Sequence, residues 1–534
     1  MKLLPVYLLL ALTIPLTAKS EEKKPVLIIP VEINAVPFSC EKEYLDSITT
    51  IVGIYFEQLD DKYPNTFKLA PTIKITSGRY TSQTIKPAII EAYRQCSRIL
   101  SFEKYDKNVG FIFSGNEIWP HEDNLTGMGV KYFAVSEIFQ GKPIETGIIC
   151  HEYCHILGLK DLYDTDEDKS GGVSKGVWGS LSIMDKGERN DEMKTPSGLS
   201  AIEMNCLGLG VCDTLKEGYY SLEPLIKSKR YLLLPSDRQG EFFLMENRVR
   251  ESWDEYIGGK GLVIYHIDRS SNKAGYSSYY DKVLTASQRW EYNEINCRPD
   301  YPCAYVLSAK PDPSCVSDIF WGSGQTLSSE SLPELRFRSG KGAELALRNI
   351  TIQEDSTISF EVIKPIRQIE TLCFQNSILV KWEIDEDISR EVKSCQISIK
   401  SEEFEKEIDV QKNKESNFIN TKIDGLQDNT LYEIKILIKT SEADFSLESK
   451  LKTLVVDERN TIPFIYMPSN HKNTFPLQVF NSQKAEKIIW TFDGRVITPD
   501  ENGYFTATRN GTLRAELIFE DGSSDIICKE IILR

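Results

Sequence analysis

Apolar positions fall along the first part of this chain with two alternating periods. Near-continuous apolar stretches at residues 25–33 and 109–114 predict buried strands, and residues 72–76 and 131–138 predict two more. Residues 46–59 and 86–100 repeat apolar positions every three to four residues and predict helices. A third helix is predicted after Thr146, whose hydroxyl suits an N-cap. It runs into Gly158, which suits a left-handed helix end. Strands alternating with helices predict an α/β layered sheet.

From residue 216 the period changes. Short alternating segments at 231–235, 241–246, 262–266 and 357–363 are separated by turn residues, predicting a β-rich region over 216–364 that packs on the preceding half. Pro365 opens a further unit. Its segment 378–382 reads as a strand carrying Trp382, and Leu426, Thr430 and Tyr432 fall at the spacing of a tyrosine corner. Residues 365–455 therefore resemble a fibronectin type III domain. Residues 456–534 read as a second, Ig-like sandwich, with Trp490 in the core and hairpin turns at Asp493-Gly494, Asn510-Gly511 and Asp521-Gly522. For both sandwiches, binding of substrate or a surface and service as a spacer stay open.

The composition narrows the setting. At 534 residues and 41% apolar residues the chain is long enough for three or four domains with real cores. A formal net charge of −16 argues against nucleic acid as a partner. Met1-Lys2-Leu3-Leu4-Pro5, the apolar run 6–16 and Thr17-Ala18-Lys19-Ser20 read as a signal peptide over 1–20. The run is too short to span a bilayer comfortably, and no second stretch is a transmembrane candidate. A secreted protein, periplasmic or extracellular after cleavage, is expected. Its 12 cysteines suit an oxidising compartment, with Cys206/Cys212 and Cys297/Cys303 the expected bridges. Cys150 and Cys154 are expected to be small buried hydrophobes, with a redox trigger as the rival reading.

The chemistry concentrates in His151-Glu152-Tyr153-Cys154-His155-Ile156-Leu157-Gly158-Leu159-Lys160-Asp161. Histidines four apart on a helix share one face and can grip one metal ion, and the chain has only five histidines. Glu152 lies about 100° round the helix, within reach of a metal-bound water rather than the metal. A reversal at Gly158 would bring Asp161 back as the third ligand, leaving the fourth position of a catalytic zinc to water. A helix-end carboxylate paired with Lys160 or a backbone amide is the plainer reading of Asp161. Glu203, in a predicted helix over 199–207, is the competing third ligand.

The run continues as Asp161-Leu162-Tyr163-Asp164 and Gly176-Val177-Trp178-Gly179-Ser180-Leu181-Ser182-Ile183-Met184. Upstream stands Ile118-Trp119-Pro120-His121. Downstream stand Phe243-Leu244-Met245-Glu246-Asn247-Arg248 and Gly261-Leu262-Val263-Ile264-Tyr265-His266-Ile267-Asp268. On these segments, over residues 25–363, the chain resembles the immune inhibitor A family of secreted zinc metallopeptidases, relatives of the metzincins. The resemblance implies an α/β metzincin-like catalytic core over 21–215 with the β-rich region as its extension. It implies zinc held by His151, His155 and Asp161, Glu152 as general base, a Met-turn at Met184 and a protein or peptide substrate. Asp161 stands where metzincins carry a third histidine. No tyrosine follows Met184, so the helper that stabilises the oxyanion is left to Tyr163, His121 or His266.

Asp164, Asp166 and Asp168 alternate along a loop to Gly171-Gly172, a spacing that suits calcium, although Lys169 and Lys175 break the EF-hand pattern. Two other readings stand beside the peptidase: a zinc hydrolase of a non-peptide substrate, and an adhesin built on a peptidase-derived core. Retention of Glu152 speaks against the second.

Overall fold

The computed structural model describes residues 23–533, apart from 60–61, 77, 79, 126, 413–415, 455–462, 468–472, 481, 483–484 and 501–502. The signal-peptide reading lies outside the described residues. Among them no helix is long and apolar enough to cross a membrane.

The chain divides into two compact units, one of residues 1–159 with 191–196 and one of 160–190 with 197–534. The first unit is a layered α/β sheet. Its first strand β1 (Val26–Ile33) is followed in sequence by α1 (Lys42–Phe56), β2 (Phe67–Leu69) and β3 (Ile73–Ile75). Then come α2 (Lys86–Ile99), β4 (Val109–Phe113), β5 (His121–Leu125), β6 (Val130–Ser136) and α3 (Thr146–Leu157). The sheet order is β2-β1-β4-β6-β5, with β3 also on β1. All pairs are parallel except β5, which runs antiparallel on β6 at the edge. Seven of eight residues of β1 are buried, which is why it reads as a continuous apolar run: both faces are covered. One face (Leu27, Ile29, Val31) shares a core with Ile89, Ala92 and Cys96 of α2. Tyr153 of α3 meets Phe56 and Phe67 edge-on at 4.8 Å, joining α3 to α1 and β2. A Cβ on Gly110 in β4 would run into the Phe133 ring, so glycine there lets the neighbouring strand pack.

Several element limits differ from the sequence expectation. Residues 46–59 lie in α1, which starts at Lys42 and closes in a 3₁₀ turn at Glu57–Leu59. Thr146 is the first helical residue of α3 rather than its cap; Glu145 takes the cap position without a side-chain cap bond. Two strands, β2 and β5, had no signal of their own.

The second unit is β-rich. Strands Ala304–Val306, Gly261–Asp268, Glu241–Arg248, Arg230–Pro235 and Val211–Thr214 form a five-stranded sheet in that order. Gly218–Leu222, Ile358–Ile363, Ala346–Ile352 and Ser323–Leu327 form a four-stranded one. Their inner faces share one core through Met245, Ile264, Leu347 and Phe360. A short helix, α4 (Ala201–Leu207), precedes the sheets.

Residues 366–452 form a β-sandwich of a three-stranded and a four-stranded sheet around Trp382 and Tyr432. The Tyr432 hydroxyl accepts a bond from Gln427 N at 2.8 Å, the corner expected from its spacing. Among the later described residues, Lys487–Phe492, Gly511–Ile518 and Ser524–Ile531 build a second β-sheet core around Trp490. Asp493-Gly494 and Asp521-Gly522 close hairpins there; at the first turn both residues are left-handed, φ 46° and 75°. Asn510-Gly511 does not: Gly511 opens a strand whose partners are Lys487–Phe492 and Ser524–Ile531, not the preceding Tyr504–Thr506.

Neither expected disulfide forms; none of the twelve cysteines is in a disulfide bond. The sulfurs are otherwise engaged. Cys206 Sγ accepts from Arg269 Nη2 at 2.5 Å, and Cys297 Sγ lies 3.1 Å from Thr165 Oγ1.

Candidate metal centre

The centre is built by α3 and the turn that ends it. Gly158 adopts φ 103°, and its N–H closes onto the carbonyls of Cys154 and His155. Leu159 N bonds Cys154 O at 3.1 Å, completing the reversal. That turn swings the Leu159 carbonyl under His155, whose Nδ1 sits 3.0 Å from it. A carbonyl only accepts, so Nδ1 carries the proton and Nε2 presents its lone pair. Nε2 of His155 and Nε2 of His151 stand 3.1 Å apart, with the rings perpendicular. Two ligands on a tetrahedral zinc at about 2.0–2.1 Å stand roughly 3.3 Å apart, so the pair is spaced for one ion. Asp161, two residues past the turn, places a carboxylate oxygen so that it and one nitrogen of each histidine lie within 4.8 Å of one another. Two imidazoles and a carboxylate are a donor set that fits zinc.

Glu152 is buried beside His151, 5% exposed. Cys150 and Cys154 are buried on the same helix, and burial pushes the Cys150 thiol well above its usual range.

Glu203 serves another purpose. It is the third residue of α4 and closes a capping box with Ser200, accepting from Ser200 N at 2.5 Å and from the Ser200 and Ser182 hydroxyls. It is absent from the metal-spaced groups among the described residues.

Met184 is fully buried, its N–H on Ser182 Oγ at 3.0 Å and its carbonyl accepting from Leu162 N at 2.7 Å. The second bond ties the Met184 segment to the residue after Asp161. Asp185 then turns inward and takes the N–H groups of Val177 and Gly179 on one oxygen, at 2.8 and 3.0 Å.

Burial pushes the Asp185 carboxyl up from 3.8 to about 6 despite those two amides. The folded state therefore holds its proton to higher pH than the unfolded chain. This group's contribution is undiminished below pH 3.8 and is lost progressively as pH rises to about 6, by roughly 3 kcal/mol at most. Asp185→Asn keeps the accepting oxygen and removes the titration. Its stability relative to the parent should rise between pH 4 and pH 7 in urea unfolding; a flat difference would sever the link.

The remaining candidates separate. His266 is buried between Glu241 Oε1 (2.8 Å) and Tyr305 OH (2.6 Å) and stacks on Phe243. Burial holds its pKa below the ordinary imidazole value, and its partners make it a structural histidine rather than an oxyanion helper. His121 lies on the edge strand β5 with Nδ1 on Trp119 O at 2.8 Å. Tyr163 is half-buried.

In the acidic loop, Asp164 and Asp166 come together with Cys297. Asp168 is exposed and lies outside that group. The reason is local: Asp164 turns inward to take Ser174 N and Asp166 N, and Asp166 takes the Ser170 hydroxyl. Asp166 Oδ1 is buried without a hydrogen-bond partner among the described residues.

Three features had no structural role assigned to them from the sequence. One is the Leu159 carbonyl behind His155. Another is the fully buried Arg248, which donates to Asp254 (2.8 and 2.6 Å), Glu246 (2.9 Å), Leu181 O (3.1 Å) and Gly198 O (3.4 Å). The third is Asn293, bonded to Asp161.

No known protein-family profile matches the chain, and no curated protein matches it. Among solved structures, a chaperone–substrate complex is similar at 17% identity and TM-score 0.19, over 28% of this chain and 25% of that one. A two-domain fibronectin type-III segment from chicken tenascin matches at 10% identity and TM-score 0.14, over 31% and 98%. The FN1–FN3 domains of chicken CNTN1 match at 10% and 0.13, over 46% and 70%. At TM-scores this low none of them carries an argument about fold or activity.

Proposed function

We propose that the chain is an exported zinc-dependent endopeptidase of the immune inhibitor A type. The observation that carries this reading is the pair of Nε2 atoms 3.1 Å apart, one of them held in the metal-binding tautomer by Leu159 O. His151, His155 and Asp161 would hold the ion. When bound, zinc supplies Lewis acidity at the scissile carbonyl and makes the attacking water more acidic. Glu152 accepts the proton of that water and returns it to the leaving amine. Met184 packs beneath this segment without binding the ion. Residues 365–455 and 456–534 are read as fibronectin type III-like and Ig-like modules that either engage substrate or a surface or serve as spacers.

The test is metal stoichiometry with hydrolysis of a denatured protein mixture. The parent should carry one zinc, lose activity to a chelator and regain it with zinc. Asp161→Ala should bind zinc more weakly by a factor on the order of ten or more, because it removes a ligand itself. Glu203→Ala should bind it like the parent. A parent that takes up no zinc, or zinc lost only in the Glu203 variant, would overturn the reading.

A further inference from the structure

We propose that Asn293 is a positioning residue of the metal centre, fixing the orientation of the Asp161 carboxylate toward the ion; this rests on the zinc reading above. The Asn293 amide grips Asp161 twice. Its Oδ1 accepts from Asp161 N at 2.7 Å, and its Nδ2 donates to Asp161 Oδ2 at 2.7 Å. Both bonds must hold for the side chain to sit as it does, so the carboxylate's rotation is fixed by its own backbone. A donor on Oδ2 also draws charge from the carboxylate. An aspartate ligand donates more charge than a third histidine, and this bond offsets part of that difference.

Asn293 is itself held firmly. It follows the helix Ala286–Glu291 in a left-handed conformation, φ 61°. The fully buried Arg289 pins the turn around it, donating to Ala274 O (2.8 Å), Gly275 O (3.1 Å), Tyr276 O (3.1 Å) and Glu294 O (3.3 Å). The two segments are joined at further points. Thr165 donates to Asn293 O at 2.8 Å, and Asn296 Nδ2 donates to Leu162 O at 2.7 Å. The ligand-bearing segment is thus fastened at both ends, with the Asn293 side chain at the ligand.

Asn293→Gly is the clean deletion, since glycine takes φ 61° without strain. Zinc affinity is measured by competition with a chromophoric chelator, alongside the melting of the metal-free protein. The variant should bind zinc about 10–100-fold more weakly, the range for partners that orient metal ligands. Its metal-free melting point should fall by only the few degrees that two lost hydrogen bonds bring, so the loss of affinity is the deciding readout. In the cobalt-substituted protein the visible absorption should weaken as the freed carboxylate adds a second oxygen to the ion. A merely structural asparagine would lower the melting point and leave affinity and spectrum alone. If Asn293→Gly fails to fold, Asn293→Ser is read by the same two measurements. A parent that binds zinc, with a variant equal to it in affinity and spectrum, overturns the role of Asn293 alone. A parent without zinc affinity overturns the peptidase reading and this inference with it.

Discussion

Glu152→Ala should lower turnover of a peptide substrate by about 10²–10⁴-fold while the protein still binds one zinc. The two halves of that result have different origins. Glu152 follows His151 on α3, so its side chain leaves the helix on a neighbouring face and is not one of the metal-spaced donors. Removing it leaves His151, His155 and Asp161 in place. The lost rate is that of a proton with nowhere to go. Glu152→Gln sharpens the test, because it keeps the size and burial and removes only the ability to accept a proton. Quenched-peptide kinetics with metal analysis of the same samples would check it. Near-parental turnover in either variant would remove the mechanism.

The second large effect is on stability. Arg248→Ala should cost about 3–5 kcal/mol, the usual penalty for breaking a buried charge cluster from one side. Arg248, Glu246 and Asp254 are essentially sealed from solvent, and the guanidinium is what two carboxylates and two carbonyls share. Glu246 also accepts from Tyr265 OH at 2.7 Å and Ala201 N at 2.5 Å, so removing the arginine leaves a dense set of acceptors. Arg248→Lys should recover only part of the loss, because one ammonium cannot replace the planar fork. Guanidinium unfolding monitored by tryptophan fluorescence would measure both. A loss under about 1 kcal/mol would mean that the carboxylates find other partners.

What the sequence made legible follows from how locally each feature is determined. α3, its glycine end and Asp161 span only residues 146–161, with His151, His155 and Asp161 inside the last eleven of them, and short-range rules suffice for them. β1 was readable because burial on both faces leaves an unbroken apolar run. Tyr432 was readable because the corner bond spans only five residues. β5 was not, since of His121–Leu125 only Leu125 is buried and an edge strand needs no apolar period. Glu203 was ambiguous because a capping glutamate and a metal ligand look alike until the serines beside it are seen to saturate it. Asp168 shared the alternation of Asp164 and Asp166, but alternation alone does not say which carboxylates turn inward. Arg248 and Asn293 were out of reach for a different reason. Their roles exist only after distant segments meet: Arg248 stood in a segment that carried the family resemblance, but nothing local said that it would be buried among two carboxylates, and Asn293 had no local pattern at all.

The distances along the chain also set the donors apart. The contacts that bring His151 to His155, and His155 to the Leu159 carbonyl, span four residues each. They close as soon as one helix and its final turn exist, at little loop entropy. Asn293 lies 132 residues from Asp161, so its grip arrives only with the β-rich segments that carry it. The two histidines therefore depend on local structure alone, whereas the hold on the carboxylate depends on segments 132 residues apart meeting.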